Sequence, residues 1–124
     1  MDSKELKRDD IEELVSFLPI LYADNAELYT IESDGGISNF YNYNDSVNSF
    51  IQSSSKACWM VSEYNDELIN NYNIENAALE ELKGLLTFCI RGERFSSGHI
   101  AHMIEKKVIK RILNRLDIIL EEIN

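Results

Sequence analysis

Between Ile90 and Met103 the chain reads IRGERFSSGHIAHM, a run that holds two arginines, a glutamate, both histidines of the protein and two of its five glycines. Three chemistries use such residue types. Metal binding is the first. His99 and His102 are three apart, which puts both imidazoles on one side of a helix, and Glu105 follows three further on. Yet successive steps of three fan across about 120° of the helical cylinder, so Glu105 turns away from His99. No cysteine or third histidine stands nearby, so His99 and His102 are weak candidate ligands that read as surface or interhelix histidines. Neither a metal nor a cofactor is expected.

Anion binding is the second chemistry. Arg91 and Arg94 would offer guanidinium forks beside the free backbone donors of a helix starting near Ser96-Ser97-Gly98. The P-loop spacing with its lysine is missing, and so is G-x-G-x-x-G, so no nucleotide motif is present. Nucleophilic catalysis is the third. Ser96, Ser97, His99 and Glu93 are close in sequence, but triads assemble in space and no nucleophile elbow is present. Cys89 with His99 meets the same objection, and an enzyme is not expected.

A structural reading accounts for more of these residues together. Gly92 would end one helix, Phe95 would plug the core between elements, Ser96 or Ser97 would cap the next helix, and Gly98 would permit close packing. Glu93 would pair with Arg91 or Arg94, and a paired arginine can hold a loop through backbone carbonyls. The stretch is then a joint between two helices.

The elements that must position it are mostly helical. Ile11, Leu14, Val15 and Leu18 repeat at helical spacing behind the acidic Asp9-Asp10, and Pro19, the only proline, ends or kinks that helix. From Asp24 to Asn44 helical periodicity is lost. The segment is rich in Tyr, Asn and Ser around Asp34-Gly35-Gly36, which fits either a hairpin or a long ordered loop. NDSVNSFIQSS then reads as a short helix capped by Asn44 or Asp45. The apolar run Ala57 to Val61 is ambiguous, and Glu67-Leu68-Ile69 fits a short helical turn. Ala78, Leu82, Leu85, Leu86, Cys89 and Ile90 make a wide apolar stripe, interrupted by Gly84, which suggests close packing by a neighbour. A second broad stripe runs from Val108 through Ile112, Leu116 and Ile119 to Ile123, and its other face carries Lys107, Arg111 and Arg115 with Lys110 alongside.

A chain of 124 residues is expected to be one domain, long enough to bury about two thirds of its unfolded surface. Cys58 and Cys89 lack metal or redox spacing and read as small buried hydrophobes. No apolar run approaches the ~20 residues that span a bilayer, and the charged N-terminus does not fit a signal peptide. The expectation is a cytoplasmic protein with no membrane association. Its net charge of −10 argues against general nucleic-acid binding. The charge is segregated, however. Residues 1 to 80 hold 16 acidic against 4 basic side chains, whereas between Lys83 and Arg115 the count is 8 basic to 2 acidic. The bland reading is a positive C-terminal part folded against a negative N-terminal part.

The C-terminal third, LEELKGLLTFCIRGERFSSGHIAHMIEKKVIKRILNRL, resembles an uncharacterised bacterial domain-of-unknown-function family, family 6508. The likeness lies in Arg91, Glu93, Arg94, Phe95 and Gly98, an Arg-Gly-Glu-Arg-Phe-x-x-Gly signature, followed by an apolar helix pair ending in Leu116. FYNYNDSVNSFI is similar to the family's aromatic segment leading into a helix, so the resemblance covers residues 10 to 117. Two departures stand out. Where family members carry a Trp-rich DW segment this chain keeps Trp59 alone, and where many carry a glycine between the last two helices it has Lys106-Lys107. The resemblance implies a mainly helical domain and supplies no activity.

These readings converge on a mainly α fold. A single domain over residues 1 to 124 is expected, a bundle of about five helices with an irregular or short β-hairpin segment near residues 24 to 44 and the first helix packed on the last two. The leading functional expectation is a small non-catalytic protein-interaction or regulatory module. It would contact a protein partner through an acidic N-terminal surface and the tyrosines Tyr29, Tyr41 and Tyr43. Those tyrosines could equally pack within the protein. The alternative is an anion or nucleic-acid binder using Arg91, Arg94, Lys107, Lys110, Arg111 and Arg115.

Overall fold

The computed structural model describes residues 6–24, 26–33, 39–61 and 74–123. Helix α1 (Arg8–Val15) opens where the Asp10 carboxylate accepts the Lys7 amide, and it buries Ile11 and Leu14. Pro19 has no amide to donate to Val15, so the helix breaks and the chain resumes as a single turn, α2 (Leu18–Leu21). Then come strands β1 (Tyr29–Ser33) and β2 (Asn39–Tyr43), an antiparallel hairpin in which Tyr29 faces Tyr43 and Ile31 faces Tyr41. The hairpin alternative is therefore the correct one for this segment.

Helix α3 (Asp45–Ser54) follows with Asn44 as its cap, the side-chain oxygen accepting the Val47 amide at 2.9 Å. Ala57 to Val61 is not helical. It places Cys58 and Trp59 in the core and is fastened to the next long helix by the Val61 amide donating to Thr87 Oγ1. The expected helical turn at Glu67 to Ile69 lies outside the described residues. A 3-10 turn at Ile74–Asn76 leads into α4 (Leu79–Phe95), whose first turn is closed by Glu81 accepting the Ala78 amide. Two more helices complete the domain, α5 (His99–Glu105) and α6 (Val108–Glu122). The fold is thus mainly helical with one short hairpin.

The core is one cluster to which every described helix contributes, with Leu14, Phe50, Trp59, Leu82, Leu86, Ile100, Ile109, Ile112 and Leu116 all fully buried. Helix α1 packs mainly on α6, one of the two helices expected, and its second partner is α3 rather than α5. The 3-10 turn lies across α6, held by Arg111 paired with Glu75 and by Arg115 Nε donating to the Ala77 carbonyl.

Three expectations about the joint are corrected. Gly92 does not end α4, which continues to Phe95 and is capped by Ser96. Neither serine caps α5, because the cap position is Gly98 with a left-handed φ of 94°. Phe95 does not plug the core and is 88% exposed. The periodicity explains the first and the third. The buried stripe Leu82, Leu86, Cys89, Ile90 continues at 93, four beyond 89 and three beyond 90, so an unbroken helix turns Glu93 inward and swings Phe95 about 200° from it.

Candidate functional site

Glu93 sits at the meeting point of α4, α5 and the hairpin. Its Oε1 accepts the Tyr43 hydroxyl at 2.7 Å and the Ile100 amide at 2.9 Å, and its Oε2 accepts the Gly98 amide at 3.1 Å. The Tyr43 oxygen in turn accepts the Ala101 amide at 3.2 Å, while the His99 amide reaches the Ser96 carbonyl at 3.1 Å. Every amide from Gly98 to Ala101 is therefore satisfied, two by one carboxylate and one by a tyrosine hydroxyl. Negative charge at this end also suits the helix dipole. The expected pairing of Glu93 with Arg91 or Arg94 does not occur, because those side chains lie on other faces of α4.

Glycine is required at two places around this carboxylate. A Cβ at Gly98 would overlap the Tyr41 ring, and one at Gly92 would overlap the ring of His99. The Tyr41 amide donates to Ser97 Oγ at 2.9 Å, so the hairpin is tied to the joint by backbone as well as by side chain. Tyr29 completes the arrangement with a hydroxyl bonded to Glu105, and its ring centroid lies 4.9 Å from that of Tyr41. Burial, with the Glu93 carboxylate beside it, raises the pKa of the Tyr43 hydroxyl. The bond to Glu105 raises that of Tyr29 to about 12. Both stay protonated as donors.

A second tyrosine repeats the device at the next joint. The Tyr22 hydroxyl donates to the Ile104 carbonyl near the end of α5 and accepts the Lys110 amide in the first turn of α6, each at 3.0 Å. The cap position before helix α6 is Lys107, which takes a left-handed φ of 65°. At such a position a side-chain cap is absent, so a hydroxyl from elsewhere in the chain supplies the missing partner.

The other candidate residues scatter. His99 packs edge-on against Phe88 with a buried Nε2 that has no partner, and burial lowers its pKa; His102 is exposed. Glu105 serves Tyr29, so the three possible ligands do not converge, and no group of three or more metal-ligating side chains forms among the described residues. Cys58 and Cys89 are free and buried, with the Cys89 thiol pushed up to about 12 by burial. The basic residues separate into two sets. Arg111 and Arg115 hold the 3-10 turn, and Lys110 lies over the Tyr22 ring at 5.6 Å. Lys107 is exposed, Arg94 is exposed, Arg91 is half-buried, and neither arginine has a hydrogen bond or ion pair among the described residues.

The chain's amides and carbonyls show one further feature. The Asn44 amide donates to the Leu28 carbonyl, so by antiparallel alternation Thr30 with Asn42 and Glu32 with Phe40 are the hydrogen-bonded pairs. The backbone groups of Tyr29 and Ile31 therefore point away from β2. On the β2 side the outward Tyr41 amide meets Ser97, whereas the β1 edge meets no partner among the described residues. Ile31 on that edge is 57% exposed. An open groove of about 600 Å³ lies at the start of this strand, lined by Ala26, Glu27, Leu28, Tyr29, Thr30 and Glu105.

A carboxylate engaged by two amides and a hydroxyl braces the joint between α4 and α5. Residues 6–122 match a family of unknown function, DUF6508. The chain belongs to that family. No curated protein and no solved structure matches the chain. The family assignment carries no activity, and among the described residues the surface features without a partner include the β1 edge and the side chains of Arg91 and Arg94. No described helix is long and apolar enough to cross a membrane. Sequence reasoning paired Glu93 with the wrong partners, although its place on the buried stripe beyond Cys89 and Ile90 was a usable signal.

Proposed function

We propose that this chain is a non-catalytic, cytoplasmic protein-interaction module that takes up an extended segment of a partner by strand addition to β1. The observation that carries the reading is the asymmetry of the hairpin. One edge is fastened to the α4–α5 joint through Ser97, and the other presents the amide and carbonyl groups of Tyr29 and Ile31 beside an exposed isoleucine. Exposed edges are templates for a further strand, and natural proteins usually blunt them. The hairpin remains the contact element expected from the tyrosine-rich sequence, but its tyrosines act as the fastening and its outer edge as the contact.

Ile31→Pro tests this cleanly. The Ile31 amide is unused within the hairpin, so proline removes a donor that only an added strand would need. A photo-crosslinker placed at Thr30 in cell extract is expected to capture a defined partner, and the same experiment on Ile31→Pro is expected to lose it. Capture that survives the substitution contradicts strand addition.

A second reading, an anion or nucleic-acid surface, is favoured by one observation. Arg91 and Arg94 are unpaired among the described residues and share a helical face with Phe95, which is 88% exposed. Fluorescence anisotropy with labelled single- and double-stranded oligonucleotides at low salt tests it. Salt-dependent binding lost in Arg91→Ala/Arg94→Ala supports it, and no binding at tens of micromolar removes it.

A further inference from the structure

We infer that the segment taken up by the β1 edge is a lysine- or arginine-rich extended peptide; this rests on the strand-addition reading and names the chemistry of its partner. At the Tyr29 end of the edge an added strand passes the groove formed by residues 26–30 and Glu105 at the end of α5. Two carboxylates stand on the groove, Glu27 from the strand side and Glu105 from the helix side, and none of its lining residues is basic. Glu105 is held in place by the Tyr29 hydroxyl. Glu32, next along β1 and exposed, extends the negative potential to the far end of the strand.

Strand geometry turns these positions into a pattern. A strand added beside β1 over five residues runs about 17 Å and alternates its side chains between the two faces of the sheet. On the face shared with Tyr29 and Ile31 it meets Glu105 and the exposed isoleucine. On the opposite face it passes Thr30 and Glu32. Cationic side chains therefore find a carboxylate on either face, and an apolar side chain finds its place beside Ile31. An acidic segment would bring like charges together at the same positions. So would a second copy of this chain, which carries a net charge of −10 and would set Glu27, Glu32 and Glu105 of both copies about one shared edge.

The experiment titrates three fluorescent peptides of about ten residues, alternating Val-Lys, Val-Glu and Val-Thr, against the whole chain. The variants are Ile31→Pro and the double substitution Glu27→Gln/Glu105→Gln, in which glutamine still accepts the Tyr29 hydroxyl. Val-Lys is expected to bind, to lose more than about tenfold in Ile31→Pro, and to weaken about fivefold in the glutamine pair, the size of two partly exposed ion pairs. Val-Thr is expected to bind more weakly and to ignore the glutamine pair, and Val-Glu is expected not to bind.

The outcomes separate the two levels of the reading. If Val-Lys binds Ile31→Pro as well as wild type, the peptide is not on the edge and strand addition itself is wrong. If Ile31→Pro abolishes binding while Val-Thr and Val-Lys bind alike and the glutamine pair changes nothing, the edge stands and the basic partner is overturned. If light scattering finds a dimer that Ile31→Pro dissociates, the edge belongs to a second copy and the basic partner is again overturned. No binding of any peptide overturns both. Should Ile31→Pro fail to fold by circular dichroism, a Val-Lys peptide methylated at alternate amides replaces it, since it cannot pair with wild-type β1 and is expected not to bind.

Discussion

Glu93 and Tyr43 show how much two side chains can contribute when both sit at one helix end. Glu93→Ala leaves the Gly98 and Ile100 amides and the Tyr43 hydroxyl without their acceptor in a partly buried place. A cost of about 2 to 3 kcal/mol is expected in urea unfolding, and Glu93→Gln, which keeps an acceptor oxygen, should cost about 1. Tyr43→Phe should cost about 1 kcal/mol, and the double variant less than the sum, because the two residues share one network. Additive costs would mean that the bond between them contributes nothing.

Tyr22 gives a test by pH. Its hydroxyl pKa is raised from 10.0 to about 12, burial being the larger cause and the Lys110 amide opposing it. A group held protonated in the folded state contributes stability that is fully present below pH 10 and is lost as pH rises towards about 12. Tyr22→Phe lacks that group, so the stability gap between wild type and variant should narrow over this interval. Urea midpoints across the interval read it directly, and a constant gap would assign the difference to packing alone.

At the scale of elements, most of the fold was legible and the joints between helices were not. The stripe from Ile11, the cap at Asn44, the break at Pro19 and the long apolar faces of α4 and α6 are local patterns, and each forms where its pattern says. The starts of α5 and α6 carry no side-chain cap at the cap position; Glu93 reaches the Gly98 and Ile100 amides from the preceding helix, and the Ala101 and Lys110 amides are served by Tyr43 and Tyr22, 58 and 88 residues away. Serines near a helix start were therefore read as caps when glycine and a distant hydroxyl do that work. Lys107 is the clearest local conflict, a non-glycine residue at the cap position of α6 held in a conformation that costs an L-residue about 1 to 2 kcal/mol. Lys107→Gly relieves that strain at the expense of some chain entropy, and a net gain of about 0.5 to 1 kcal/mol is expected. Gly98→Ala should move the other way by more than about 1 kcal/mol, since it adds strain and meets the Tyr41 ring. Thermal melts of the two variants check both signs.

For the molecule as a whole, periodicity reports which face of an element is buried but not which elements meet, and the candidate site is made of such meetings. The segregated charge illustrates the gap. Among the described residues two ion pairs link the acidic first 80 residues to the basic remainder, Lys83 with Glu80 three residues back on α4 and Arg111 with Glu75, and they join neighbours on one helix and fasten a short turn over α6 rather than joining two halves. The hairpin is the larger link. It ties residue 29 to 105, 41 to 97 and 43 to 93, so it braces the α4–α5 joint while presenting its other edge outward. Removing it cannot be a neutral test of partner binding. Replacing residues 29–43 by a short flexible linker would strip the Ala101 amide of its acceptor and Glu93 of its hydroxyl partner, and expose the ground under three tyrosines. Hydrogen exchange at Ile100 and Ala101 should then accelerate by at least about tenfold while amides in the middle of α6 change less, because local opening at the joint precedes global unfolding. If α5 keeps its protection without the hairpin, the brace is dispensable and the tyrosines are free to serve another purpose. Ile31→Pro should leave the same amides protected, and that contrast separates the inner, structural edge of the hairpin from the outer edge offered to a partner.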